Sequence, residues 1–288
     1  MENEPQGERV GRIVIIAFWI VSLVVALFLT SILLHLFFIS SNNLEGSPNW
    51  AGYSVASDLA DPQPVIIGIK GSWTVPTVSV SQRSVFSAVW IGIGGQFDNT
   101  LIQTGTEQDS NHGNVMYSAW YELLPNDSVT ITAINVSPGD KITASINLDN
   151  STTNLWSIEI ADVTNEQSFQ RNVVYNSSRL SAEWIVERPT LNYQVRLPVA
   201  LADFGIVTFT DSGITTNTSA GTIGNFPFVR FIMQNGISPL VTVSSLSSNG
   251  SSFTVTYLSG AGTTQSMMNE VLGDKIAAAS EKRISIRM

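Results

Sequence analysis

No cysteine occurs in this chain of 288 residues, which removes disulfide frameworks and cysteine-ligated zinc together. Histidine is nearly as scarce. Of the two present, His35 lies inside a long apolar run, which leaves His112 alone for chemistry. A metal site built on several histidines is thereby excluded, and no HExxH pair occurs. A Ser-His-Asp triad would have to use His112 in Asp109-Ser110-Asn111-His112-Gly113, a stretch that reads as a polar turn. No glycine-rich loop follows a strand and opens a helix, so nucleotide chemistry has no cradle. Basic charge is short as well. The net charge is -9 and no basic patch is on offer to nucleic acid. The charged fraction of 13% is about half that of ordinary soluble domains, and Ser, Thr and Asn take over the polar surface. Such neutral groups stay hydrated whether or not carboxylates are protonated, whereas salt bridges fail in acid. The composition suits life at low pH and equally suits an ordinary extracellular β protein.

What is present divides into an apolar N-terminal segment and a long β-rich region. Residues 13–39 form an almost unbroken apolar run. As a helix the run would be about 40 Å long, enough to span about 30 Å of hydrocarbon with tilt. Arg9 and Arg12 precede it, and no Lys or Arg follows until Lys70. The positive-inside rule then places residues 1–12 in the cytoplasm and everything after residue 40 outside. The run is long for a secretory h-region and no A-x-A site follows it. An uncleaved transmembrane signal anchor is therefore expected over residues 13–39, with secretion after cleavage as the alternative. Residues 40–48 read as a linker.

Over residues 49–258, runs of Val, Ile, Thr, Phe, Tyr and Trp alternate with clusters of Gly, Pro, Asn, Asp and Ser. Strands are expected at Ser84 to Ile93, Val115 to Leu123, Ser128 to Ile134, Lys141 to Leu148 and Leu155 to Val163. More follow at Ala182 to Val186, Gly205 to Thr210, Leu240 to Ser244 and Ser252 to Tyr257. No useful helical period interrupts them. The expected fold is all-β, an antiparallel two-sheet sandwich of jelly-roll or concanavalin-like type, preceded by one transmembrane helix. Six N-x-S/T sequons, at Asn126, Asn135, Asn150, Asn176, Asn217 and Asn249, would suit an exported domain. Residues 259–288 read as a tail with a weak helix and a basic end.

Alternation assigns faces, because side chains on a strand point to opposite sides with period two. Gln103, Gly105 and Glu107 share a face with Leu101. Ser118, Trp120 and Glu122 share another, and so do Ser181, Glu183, Ile185 and Glu187, opposite an apolar stripe of Ala182, Trp184 and Val186. Gln103, Glu107, Glu122 and Glu183 are thus expected to line one polar surface. Each has an ordinary alternative as a solvated residue on an outward face. Two strand carboxyls such as Glu122 and Glu183 would equally suit a jelly-roll glycosidase. Asp211-Ser212-Gly213 looks like half of an aspartic-peptidase site, but that mechanism needs two such carboxyls and no second motif exists, so a turn after a strand is expected there.

Several segments, in order, resemble the glutamic peptidases, the eqolisin or G1 family. Asn49-Trp50-Ala51-Gly52-Tyr53 resembles their mature opening, and Trp73-Thr74-Val75-Pro76 their following Val-Pro strand. Ala88-Val89-Trp90-Ile91-Gly92-Ile93, Leu101-Ile102-Gln103-Thr104-Gly105, the run from Tyr117 to Pro125, Ser181-Ala182-Glu183-Trp184 and Ala202-Asp203-Phe204-Gly205 are similar to later segments. The resemblance covers about residues 49–258. It implies a two-sheet sandwich and an acid endopeptidase acting on polypeptide substrates without a metal or other cofactor. Position by position it implies Gln103 as the catalytic glutamine and Glu183 as the catalytic glutamate. Trp90, Trp120, Glu107 and Glu122 fall at substrate-binding or supporting places. Three secondary carboxylates of the family pattern are changed or lost, at Gly94, Glu107 and Ser118. A non-catalytic lectin-like or cell-surface binding sandwich that kept the scaffold is the competing expectation. For the peptidase, Glu183 as a carboxylate would take a proton from water and Gln103 would donate to the oxyanion, with the base near its ordinary pKa of about 4.3.

Overall fold

The computed structural model describes residues 18–19, 21–30, 43–190 and 198–259. The chain divides into two compact units, residues 1–44 and 45–288. In the first, residues 18–19 and 21–30 are helical, and the remainder of the anchor expected over 13–39 lies outside the described residues. Among the described residues no helix is long and apolar enough to cross a membrane. The tail over 259–288 likewise lies outside the described residues, apart from its first member.

The described part of the second unit is built from strands. In chain order they are β1 (Leu44–Ser47), β2 (Trp50–Ala56), β3 (Ile66–Thr74), β4 (Val85–Gly94), β5 (Leu101–Asn111), β6 (Asn114–Leu123), β7 (Val129–Ile131), β8 (Lys141–Asn150) and β9 (Leu155–Asp162). They continue with β10 (Gln167–Val174), β11 (Ser181–Glu187), β12 (Ile206–Thr216), β13 (Ala220–Thr222), β14 (Phe228–Asn235), β15 (Ser238–Pro239), β16 (Val241–Val243) and β17 (Phe253–Tyr257). Two sheets result. The first runs β1-β14-β2-β11-β4-β5-β6-β7, with β15 on β14. The second runs β10-β9-β8-β3-β12-β17-β16, with β13 on β12. The expected strands are present with their ends displaced by a few residues.

Two differences have local causes. Leu44–Ser47, read as linker, forms β1 beside β14. The Ser47 hydroxyl then accepts from the backbone N–H groups of Asn49 and Trp50 and turns the chain into β2. Asp211-Ser212-Gly213 is no terminal turn. It lies inside β12, where the pairing with β3 shifts between Thr210 and Gly213 and Asp211 takes φ 54. That is a β-bulge, and the strand runs on because residues 213–215 pair with both β3 and β13. The polar turn at His112 is as expected. His112 and Gly113, at φ 48 and 86, close the tight β5–β6 hairpin, with His112 exposed at its tip.

The sheets pack through large aromatics with polar ends. Trp184 on β11 donates its indole N–H to the Lys70 carbonyl on β3 at 2.8 Å. Trp73 on β3 donates to Thr106 Oγ1 on β5 at 3.1 Å, and the Tyr53 hydroxyl donates to the Ser244 carbonyl at 2.8 Å. Each ring buries its apolar body in the core and satisfies its polar atom on the other sheet. With Ile91, Ile102, Trp156, Phe209 and Phe253 they fill the space between the sheets. Every other residue of β11, β4 and β5 is thereby committed inward, and the alternate set is turned to the outer face of the first sheet.

Candidate active site

Four strands at the centre of the first sheet bring the candidate residues into one row. Glu183 on β11 is opposite Gly92 on β4, Gly92 is opposite Gln103 on β5, and Gln103 is opposite Glu122 on β6. On the other flank of Glu183 stands Ser54 on β2. Strand spacing puts the Glu183 and Gln103 backbones about 9.5 Å apart, with a residue lacking a side chain between them. A Cβ on Gly92 would lie 2.8 Å from Leu101 Cδ1 and 3.1 Å from both Gln103 Cβ and Trp90 Cζ3. With no side chain at Gly92, Leu101, Gln103 and Trp90 close in over that position.

Both residues are buried, Glu183 at 0% and Gln103 at 4% exposure. Glu183 Oε1 accepts from the Ser54 hydroxyl at 3.1 Å, while Glu183 Oε2 has no hydrogen-bond partner among the described residues. Gln103 Nε2 donates to Glu122 Oε2, and Gln103 Oε1 has no partner among the described residues. An unpartnered buried carboxyl oxygen and an unpartnered buried amide oxygen are costly for a fold to keep. Burial pushes the Glu183 carboxyl well above the usual carboxylate range. The hydroxyls of Ser181 and Ser54 oppose that rise, and the charge of Asp98 adds to it. Ser181 exerts its effect from nearby, without a hydrogen bond of good geometry.

The outer face is not the polar surface expected from alternation. Ala88, Trp90, Leu101, Trp120, Ile185, Val229 and Phe231 form a second apolar cluster there, with Trp50, Leu59 and Leu124 packed against it. Trp90 and Trp120 lie one row from Glu183 and Gln103, on either side of Gly105. Trp50 meets Trp90 and Phe231 edge-to-face, at ring distances of 5.3 and 5.9 Å. The row beyond holds Glu187, Ala88, Glu107 and Ser118. Glu107 thus stands four residues along β5 from Gln103 and is not brought into the dyad's row. It faces Asp109 instead. Burial raises both carboxyls, and the charge of Glu107 adds to the rise at Asp109, which reaches about 9.

Alternation put Glu187 on this face without assigning it a role. Its two oxygens accept from the Trp90 indole N–H at 2.8 Å and from Asn49 Nδ2 at 3.1 Å. It fixes the Trp90 ring from behind, and burial pushes its carboxyl up to about 7. Ser54 also went unread, because a serine in Gly52-Tyr53-Ser54-Val55 signals nothing until its cross-strand neighbour is known. Glu122 and Glu183 are three strand spacings apart, about 14 Å between backbones, with Gln103 standing between them and bonded to Glu122.

Comparison with known proteins gives the family. Residues 48–257 match the family model described as the Peptidase A4 family. Aspergillopepsin-2 of Aspergillus niger is 30% identical over 243 residues, covering 76% of this chain and 80% of its own. Scytalidopepsin B of Scytalidium lignicola is 26% identical over 196 residues, covering 65% and 71%. Among solved structures, scytalido-glutamic peptidase with a transition-state analogue inhibitor superposes with a TM-score of 0.61 at 23% identity, over 74% of this chain and 99% of that one. Aspergilloglutamic peptidase from Aspergillus niger gives 0.53 at 28% identity, over 60% and 99%. The chain belongs to the Peptidase A4 family, the glutamic peptidases or eqolisins, and is a peptidase of that type.

Proposed function

We propose that Glu183 and Gln103 are the catalytic dyad of an endopeptidase that hydrolyses polypeptides with an activated water. The observation that carries this is their shared row, with Gly92 between them and one unpartnered oxygen on each. A water over Gly92, within hydrogen-bond reach of both, attacks the scissile carbonyl carbon. Glu183 takes the water's proton as the C–O bond forms. The amide of Gln103 has two N–H groups. One is held by Glu122, which orients the plane, and the other donates to the oxyanion. As the tetrahedral intermediate collapses, the C–N bond breaks and Glu183 returns the proton to the leaving amine. Trp50, Trp90, Trp120 and Phe231 supply an apolar bed beside the dyad, suited to substrate side chains.

An amide does not titrate, so the oxyanion donor survives acid. The base is a different matter. Burial displaces the base upward from the ordinary pKa near 4.3, so the acid limb of activity lies higher than an exposed glutamate would put it. Removing one oxyanion donor costs roughly 100- to 1,000-fold in rate. Gln103→Ala should lower kcat by about that factor with little change in KM, because the donor acts on the transition state. Steady-state kinetics on a peptide substrate check this. A rise in KM at unchanged kcat would remove Gln103 from the dyad. For the N-terminal segment we propose a membrane anchor with the peptidase unit outside, supported by the apolar run over 13–39 after Arg9 and Arg12.

A further inference from the structure

Among the described residues, Ser54 is the one hydroxyl that bonds Glu183 with good geometry. It is fully buried on β2, on the outer face with Trp50, Gly52 and Ala56. Its row neighbours are Glu183 on one side and Val229 on the other. A buried hydroxyl in apolar surroundings is costly unless bonded, and the bond here goes to Glu183 Oε1 at 3.1 Å. One flank of Glu183 therefore carries a donor, and the opposite flank is the side-chain-free Gly92.

We infer that Ser54 holds Glu183 by Oε1, leaves Oε2 as the oxygen presented to water, and is thereby a positioning residue for the reaction. The inference rests on the reading of Glu183 as the base. A carboxylate gripped at one oxygen loses the freedom to exchange its two oxygens, and proton transfer needs one of them held in line with water. The same bond favours the charged form of the base. Among the described residues no other group holds Glu183 by a well-formed bond, although the Ser181 hydroxyl also favours the charged form. Ser181 lies on the same strand without a well-formed bond, and Asp98, from the β4–β5 turn, opposes ionisation. Across Gly92 stand the neutral Gln103 and, beyond it, Glu122, while Glu187 lies four residues along β11 and is engaged by Trp90 and Asn49. None of these groups is a cation, so a neutral donor is what favours the carboxylate.

The test uses the full chain with Ser54→Ala, Ser54→Thr and Ser54→Cys. The titration of Glu183 is followed by carbon-13 NMR of labelled glutamate, assigned against Glu183→Gln, and kcat/KM on a peptide substrate is followed against pH. Ser54→Ala should move the Glu183 midpoint and the acid limb up together by about one pH unit. Below the limb kcat/KM should fall about 10-fold, through kcat rather than KM. Ser54→Thr, which keeps the hydroxyl, should restore both positions. If Ser54→Ala does not fold, Ser54→Cys, of similar size with a weak donor, should show the same upward shift. A midpoint that stays in place in a folded Ser54→Ala or Ser54→Cys overturns the inference. A wild-type chain without peptidase activity would overturn the dyad reading instead, and the NMR midpoint would still decide whether Ser54 grips Glu183.

Discussion

Glu187 and Asp109 hold their protons far above the usual carboxylate range, at about 7 and about 9, and in both the largest cause is burial. An acid whose folded pKa is raised binds a proton in the native state that the unfolded chain releases near pH 4. Stability from such a group is present below that pH and declines as pH rises through the folded value. The midpoint of urea unfolding should therefore fall between about pH 4 and 9, and Glu187→Gln should make the fall between about pH 4 and 7 shallower, leaving the share of Asp109, which runs on to about pH 9. Urea titrations at a series of pH values check this, and a midpoint that climbs from pH 4 to 7 would refute it. That Gln103 and Glu183 share one face was legible in the sequence from strand alternation. The raised pKa values were not. They depend on burial that only the assembled sheet supplies, for Glu187 beside the Trp90 ring it bonds and for Asp109 beside Glu107.

At the scale of the strand, two glycines separate chemistry from folding. A Cβ on Gly105 would lie 2.2 Å from the Val89 carbonyl oxygen and 2.8 Å from Trp90 Cα, both backbone atoms that cannot step aside. Gly105→Ala should destabilise the sandwich by roughly 1–3 kcal/mol. At Gly92 the close contacts are side chains, Leu101, Gln103 and Trp90, which can shift. Gly92→Ala should stay folded with a nearly unchanged melting temperature and lose about 10-fold or more in kcat, because the methyl enters the space over which the dyad reaches. Melting curves beside kinetics distinguish the two, and a fully active Gly92→Ala would contradict the assigned use of that space. Strand positions were readable from period-two patterns bounded by turn residues. The order β2-β11-β4-β5-β6 was not, since pairing between segments about eighty residues apart leaves no local trace. For the same reason β1 passed for a linker and the Asp211 bulge for a turn.

For the molecule as a whole, scarcity of charge and the two apolar layers of the first sheet describe a peptidase in which Glu183 and Gln103 are buried beside a cluster of aromatic rings. The N-terminal run gives a prediction at this scale. Protease added to intact cells should remove the peptidase unit and spare the first residues, whereas a mature protein starting near residue 41 would mean that the segment is cleaved. The central claim concerns Glu183, and one comparison tests it most directly. Cleavage of casein by the full chain and by Glu183→Gln is measured from about pH 2 to 7 with pepstatin present, alongside the melting curve of each. The isostere keeps the volume and cannot accept the proton. The account predicts a pepstatin-resistant wild type whose acid limb lies higher than that of an exposed glutamate, and a Glu183→Gln protein that melts as a folded domain and shows no cleavage. Wild-type-like cleavage by folded Glu183→Gln would contradict it.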